Sequence, residues 1–563
     1  MGPMKKHSGG IGFLLMLAIG AAQCTCASNK ASNGNGANNV PQTPNTQPSY
    51  DKGVTIRLTP IFTEAKKVSF GVPLQRGVLK SVNDASVLLG GKKVAADLTE
   101  LLPDLDMSGA RVGVRALRVQ LDASLISAQG TDVEILWTGG VAPLTPPAVA
   151  LFQSEEVSSD SASVVQTAER TIKKNGSKYE LVETSHAAKT VFVGREPRVL
   201  ATYPVGYLAQ TGILGSILSA AEVEQRADLA GLRFLSKAIA EFLRSAMYDE
   251  PYAINPDPDS LPNFDAQYEA WLYDRCSSFL LAYTHVGDVK FLRHALRTCS
   301  YYSSRIELTG SNRGIFAGKP DPDTKYSHVR GLFTYYALTG DERAADSIQA
   351  IAELWLNDKT FVGPYREGHL RGIDKLWTER LLGTSLEGLL YGHRLKGEAV
   401  YLEAFGQMLA TAYKHITGNQ AALDEINPGV GFAPQNCFVH SALQHGEGNG
   451  DSPWCSSWMS ELTLDALLQW YEHSQDKRVL EIITRLTRFL RDTGTNYFRG
   501  NPANDSFLAP TVCYKPDDAN PRNLVPLYGA GLGKDGKRTS DGEYEDFEHC
   551  TDATALADRK SVV

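Results

Sequence analysis

The spacing of apolar residues changes period once along this chain. From about Val54 to Pro204 it is mostly two, as in Val54, Ile56 and Leu58, then Leu117, Val119 and Leu121, then Val133, Ile135 and Trp137. Successive side chains of a strand point to opposite faces, so this pattern predicts half-buried strands. Gly90-Gly91, Gly139-Gly140 and the run from Pro143 to Pro147 punctuate them, and Asn175-Gly176 predicts a hairpin turn. The expectation is an antiparallel β barrel or sandwich over residues 51–147, followed by a small β module and connector over 148–215. After Gly215 the period lengthens toward 3.6, as in Leu229, Leu232, Leu235, Ile239 and Phe242, and helices are expected from residue 216 onward.

Within the helical half, short polar corners recur: Gly287-Asp288, Gly340-Asp341, Gly397-Glu398 and a degenerate Gln475-Asp476. Successive corners lie 53, 57 and 78 residues apart, which suits a helix, tight turn, helix and long return loop. Each tight corner joins two antiparallel helices, so the corners fall on one rim of the array and the return loops on the other. The fold class expected is therefore multidomain β plus α: an N-terminal antiparallel β domain, then an (α/α)6-type toroid over 216–563. An open solenoid of the same hairpins is the alternative.

The ends carry signals of a different kind. Lys5 and Lys6 precede an apolar run from Ile11 to Ala22 and then small residues, the pattern of an export signal over residues 1–27. That run is too short to span a bilayer, so a membrane is expected only through a lipid anchor at Cys24 or Cys26, with cleavage near Ala27 as the competing outcome. Residues 28–50, rich in Asn, Pro, Ser and Gly, are expected to be a disordered linker because they cannot bury enough apolar surface to fold. The final Asp558-Arg-Lys-Ser-Val-Val563 reads like the translation of an adapter DNA sequence and interrupts a helix beginning near His549. The natural chain is expected to continue, leaving the toroid incomplete.

With 563 residues, 42% hydrophobic and 21% charged, the chain is long enough for two or three domains with a large core. A net charge of -8 with scattered Lys and Arg argues against a nucleic-acid partner, which would draw basic residues onto one face. Beyond the signal, Cys276 and Cys299 sit symmetrically about the Gly287-Asp288 corner and should lie level across that hairpin; they are either a disulfide or two small core residues. Cys437 and Cys455 are open to pairing across one loop. No Cys-x-x-Cys or His-x-x-x-His spacing proposes a metal or other cofactor; calcium is possible but not indicated.

The return loops hold the candidate chemistry. Tyr326, His328 and Arg330 alternate just before a helix, so an extended backbone would aim all three to one side. Such a trio suits elimination from a uronic acid, which needs a base for the proton beside the carboxylate, a donor to hold the developing charge, and an acid for the leaving oxygen. His328 and Tyr326 are the candidate base and acid, and Arg330 or Arg380 the bidentate carboxylate clamp. The alternative is a packed tyrosine and a histidine at a helix start. In Trp377-Thr378-Glu379-Arg380, Trp377 offers a flat face to a pyranose ring and Glu379 an acid or base; equally, Glu379 favours the helix N-terminus and pairs with Arg380. Arg366, His369 and Arg371 add positive charge to the preceding loop. The long loop from Asn427 to Trp458 supplies Asn436, His440, His445, Trp454 and Trp458 as candidate sugar contacts. Asp265, Tyr273, Asp274 and Arg275 are weaker candidates on the same rim.

Val68-Ser-Phe-Gly-Val-Pro-Leu-Gln-Arg-Gly77 and Arg115-Ala-Leu-Arg-Val-Gln120 resemble the N-terminal domain of exo-rhamnogalacturonan lyase-like proteins. The phrases HVRGLFTYYALTGDERA and WTERLLGTSLEGLLYGHRLKGE are similar to hairpin repeats of polysaccharide-lyase toroids, and also to those of six-hairpin glycosidases. The resemblance implies extracellular or periplasmic breakdown of an acidic polysaccharide by β-elimination, with Tyr or His and Arg as working residues. Two alternatives stand beside it. One is a glycoside hydrolase using paired carboxylates, for which Glu379 with Glu461, Asp274 or Asp265 are the suspects; the other is a surface glycan-binding protein without catalysis.

Overall fold

A computed structural model describes residues 49–61, 65–137, 163–175, 178–191, 196–215, 217–225, 271–319, 321–368, 378–418, 421, 436–441, 453–456, 459–492, 495–498, 523–526 and 529–531. The expected signal, nearly all of the expected linker, the helix around Leu229 to Phe242 and the chain beyond residue 531 lie outside these residues.

The period-two segments are strands. In β1 (Gly53–Pro60), Val54, Ile56 and Leu58 are buried while Thr55, Arg57 and Thr59 face out. Further strands are β2 (Lys67–Pro73), β3 (Ser86–Leu89), β4 (Lys92–Lys93), β5 (Asp97–Leu105), β6 (Arg111–Asp122), β7 (Thr131–Leu136), β8 (Ser163–Asn175), β9 (Lys178–Val191) and β10 (Val199–Thr202). They form antiparallel sheets in the orders β10-β1-β7-β3-β4 and β2-β6-β5, with β8 and β9 paired as a hairpin. Two details differ from the sequence reading. Val199–Thr202, expected in the connector, return to pair with β1, Arg57 opposite Thr202. Tyr50, expected in the tether, is buried: its carbonyl accepts from Trp137 Nε1 at 2.9 Å and its ring meets Tyr207 edge-on. In the long hairpin Asn175 pairs with Lys178, and Gly176 of the expected turn lies outside the described residues.

Two short helices, α1 (Tyr207–Thr211) and α2 (Ala220–Gln225), lead into the hairpins. These are α3 (Arg275–Val286) with α4 (Val289–Ser304), α5 (Arg330–Thr339) with α6 (Glu342–Asn357), then, after the short α7 (Val362–Arg366), α8 (Thr378–Lys396) with α9 (Ala399–Thr417), and α10 (Met459–Ser474) with α11 (Lys477–Asp492). The described residues thus hold antiparallel sheets in the N-terminal region and a C-terminal part with eleven helices overall. All four corners share one local chemistry. Gly287, Gly340, Gly397 and Gln475 adopt left-handed φ of 80°, 71°, 79° and 54°, and each N–H returns to the carbonyl four residues earlier. Asp288, Asp341 and Asp476 then accept the backbone N–H two residues on and so start the next helix. Glu398 makes no such cap.

The two helices of a pair have different surroundings. Every residue of α5 is buried, and in α3 every residue from Arg275 to His285, whereas α4 and α6 keep an exposed face. α3 and α5 are therefore enclosed on all sides, whereas α4 and α6 each present a face to solvent. The corners face the β region. A Cβ on Gly71 of β2 would lie 2.0 Å from the Ala337 carbonyl oxygen, so only glycine permits that approach to the end of α5. Val205 packs against Gly287, Leu105 against Gly397, and Arg293 and Arg297 of α4 both donate to Glu196. A single apolar core runs from the sheets into the helices. Cys276–Cys299 is a disulfide across the first hairpin, with Cα atoms 4.9 Å apart, and Cys437–Cys455 a second, at 6.2 Å. Among the described residues no helix is long and apolar enough to cross a membrane.

Candidate active site

Each first helix runs toward its corner, so its N-terminus lies at the opposite end. A pocket is formed there, lined by Leu272, Tyr273, Asp274 and Ser277 at the start of α3, Lys325, His328 and Arg330 before and at the start of α5, Arg380, Thr384 and Glu387 on α8, and Leu462 and Asp465 on α10.

Asp274 ties two helix starts together. Its Oδ1 accepts the Ser277 N–H and its Oδ2 the Gly331 N–H, both at 2.8 Å, satisfying donors that a helix leaves unpaired in its first turn. Behind it, a layer of aromatic rings from Trp271, Tyr301, Tyr302 and Phe316 packs in stacked and tilted pairs. Tyr302 carries its hydroxyl into the backbone of the loop, donating to the Tyr326 carbonyl and accepting the His328 N–H at 2.7 Å.

His328 is held as a neutral imidazole. Burial pushes its pKa below the ordinary histidine value, the negative charge of Asp274 opposes this, and Arg380 adds to the lowering. Nε2 lies 3.2 Å from the Leu272 carbonyl, which can only accept, so the proton is assigned to Nε2 and Nδ1 keeps the lone pair. Beside it, the Arg380 guanidinium sits 5.6 Å over the Tyr273 ring, with Nη2 3.4 Å from the Tyr273 hydroxyl. Lys325 lies 3.3 Å from Asp323; burial lowers its pKa and the Asp323 charge opposes.

Arg330 works differently from the clamp expected of it. Its Nε and Nη2 donate to the Leu214 carbonyl and its Nη1 to Asp465 Oδ2 at 3.1 Å. It is a strut between the connector after α1 and α10, and it would have to leave these partners to grip a substrate carboxylate in bidentate fashion.

Of the other sequence candidates, Tyr326 does not line the pocket. Residues Thr324–Tyr326 form a 3-10 turn, which breaks the two-residue alternation, and the Tyr326 ring stacks on Phe316 at 6.4 Å in the aromatic layer. Glu379 is wholly buried on the side of α8 away from the pocket, against His440. Arg366 donates to Gln407 and the Leu356 carbonyl. Asn436, at φ 62°, accepts from Arg485. Trp454 is buried in β12 (Pro453–Ser456), which pairs with β11 (His440–Ser441) and with Gly529–Gly531. His369, Arg371, Trp377, His445, Trp458 and Asp265 lie outside the described residues. Polar pocket residues given no role from sequence are Ser277, Lys325, Thr384, Glu387 and Asp465. Arg380, Thr384 and Glu387 recur at i, i+4 and i+7, so one polar face of α8 was there to be found.

No group of three or more His, Cys, Asp or Glu among the described residues is placed to hold a metal ion. Comparison with known proteins finds no match to this chain, whether a family model, a curated protein or a solved structure.

Proposed function

We propose that this chain is an exported polysaccharide lyase acting on a uronate-containing glycan of the pectin or rhamnogalacturonan kind, built on an (α/α)6-type toroid. The observation that carries the reading is one pocket holding a neutral histidine, a tyrosine hydroxyl and three cationic side chains, of which Arg330 is tied to the Leu214 carbonyl and Asp465. In this reading Arg380 and Lys325 bind the uronate carboxylate and stabilise the charge that develops on it. Nδ1 of His328 takes the proton from the carbon beside that carboxylate, and the Tyr273 hydroxyl delivers a proton to the departing glycosidic oxygen. The enclosed α3 and α5, with α4 and α6 presenting a face to solvent, support the toroid. Two disulfides support an oxidising compartment, periplasmic or extracellular.

Glu387 and Asp465, both on the pocket wall, favour a second reading, hydrolysis by paired carboxylates. Incubation with a panel of uronate polysaccharides, following ultraviolet absorbance alongside new reducing ends, separates the two. The expected result is absorbance rising with reducing ends, and a loss of about 10²-fold or more in His328→Ala. Reducing ends without absorbance would replace the lyase with the hydrolase; ligand binding without any product would leave a glycan-binding protein.

A further inference from the structure

Glu379 is the one carboxylate next in sequence to a pocket cation that the reaction above does not use. It lies in the first turn of α8 and is 0% exposed. Its Oε1 accepts the Ser456 N–H at 3.0 Å and also meets His440 Nδ1 at 3.1 Å. Its backbone carbonyl accepts from Thr463 Oγ1 at 2.8 Å. His440 and Ser456 sit on β11 and β12, and the Cys437–Cys455 disulfide ties β12 to the segment just before β11. Successive helical residues point about 100° apart, since a turn takes 3.6 residues. Glu379 therefore faces the strand pair while Arg380 faces the pocket over Tyr273.

We propose that Glu379 is a positioning residue: its buried carboxylate, bound to His440 and the Ser456 N–H, sets the rotation and start of α8 and thereby the place of Arg380 in the pocket. This rests on the reading of Arg380 as the group that binds the substrate carboxylate. A carboxylate that holds donors from two other strands fixes a helix end more firmly than a cap within the helix, because both partners are anchored elsewhere. Displacing a binding group by about 1 Å costs on the order of 10²-fold in rate, so the contact acts on turnover without touching substrate.

The test compares Glu379→Gln, Glu379→Ala, Arg380→Ala and the double variant Glu379→Ala/Arg380→Ala in the full chain. The first readout is modification of Arg380 by phenylglyoxal, mapped by mass spectrometry. Arg380 is 3% exposed and should be protected in the parent and in Glu379→Gln, which keeps an acceptor oxygen, and modified at least about tenfold faster in Glu379→Ala. His440→Ala, which removes one donor only, gives the same readout should Glu379→Ala fail to fold. The second readout is turnover: Glu379→Gln should stay within about tenfold with its pH profile intact, and the double variant should be no slower than Arg380→Ala. Arg380 still protected when Glu379 or His440 is removed would overturn the proposal. So would a Glu379→Gln enzyme with one limb of the pH profile gone, since Glu379 would then act on substrate itself. If the parent turns over no uronate glycan, the functional reading fails while the phenylglyoxal rates still decide the positioning role.

Discussion

Replacing Gly331 with alanine should destabilise the helical part at the point where two pocket helices begin. The added Cβ would stand 2.4 Å from the Ser277 backbone nitrogen, 2.6 Å from Asp274 Oδ1 and 2.7 Å from the Cys276 Cβ. None of the three can swing aside. Ser277 N is backbone inside α3, Asp274 is held by two N–H groups, and Cys276 is bonded to Cys299 on α4. Overpacking of this kind costs roughly 1–3 kcal/mol, and losing the Gly331 N–H bond to the Asp274 carboxylate roughly 1.5–3 more. Alanine's better helix propensity returns about 1 kcal/mol, leaving a net loss of about 1.5–5 kcal/mol. Gly406, inside α9, is the control: a Cβ there meets nothing within 4 Å, so Gly406→Ala should gain up to about 1 kcal/mol. Urea unfolding of the full chain, disulfides intact, followed by far-ultraviolet circular dichroism, measures both. A Gly331→Ala midpoint at or above the parent's would show that the α3–α5 junction is looser than these contacts imply.

The buried His415 gives a pH dependence. Burial pushes its pKa down to about 4, against an opposing pull from Glu379 and with a further lowering from His440; Nε2 donates to the Val439 carbonyl and Nδ1 accepts from the Tyr365 hydroxyl. The unfolded chain takes up the proton first, so this group's stabilisation is complete above about pH 6.5 and is lost as pH falls toward 4, by up to about 3 kcal/mol. His415→Gln should flatten the fall of melting temperature between pH 6.5 and 4; an unchanged slope would assign it to other groups. Cys437→Ser/Cys455→Ser should lose about 3 kcal/mol in the same urea assay, as expected for a loop of that length. A double variant of parent stability would show that the strand pair holds without its cross-link.

Local chemistry explains what was legible in the sequence. A β strand or an amphipathic helix writes its period into a dozen residues, so Val54, Ile56 and Leu58 announced a half-buried strand and the lengthened period announced helices. A left-handed residue followed by an acidic residue needs only two positions, which is why all four hairpin corners could be read; symmetry about one of them put Cys276 level with Cys299 and left open whether they bond, which the structure decides. The separation of corners from pocket also followed, because antiparallel helices put opposite ends on opposite rims. The neighbours decided the rest. A single 3-10 turn sent Tyr326 into the aromatic layer and left His328 at the pocket. Arg330 became a strut because the Leu214 carbonyl arrives from 116 residues away, and Glu379 turned from the pocket to meet His440 across 61 residues. Strand β10 joined β1 only through pairing across the whole β region. Period and capping are set by residues a few positions apart, whereas burial, charge partners and the direction a polar side chain faces depend on segments that meet only when the core closes.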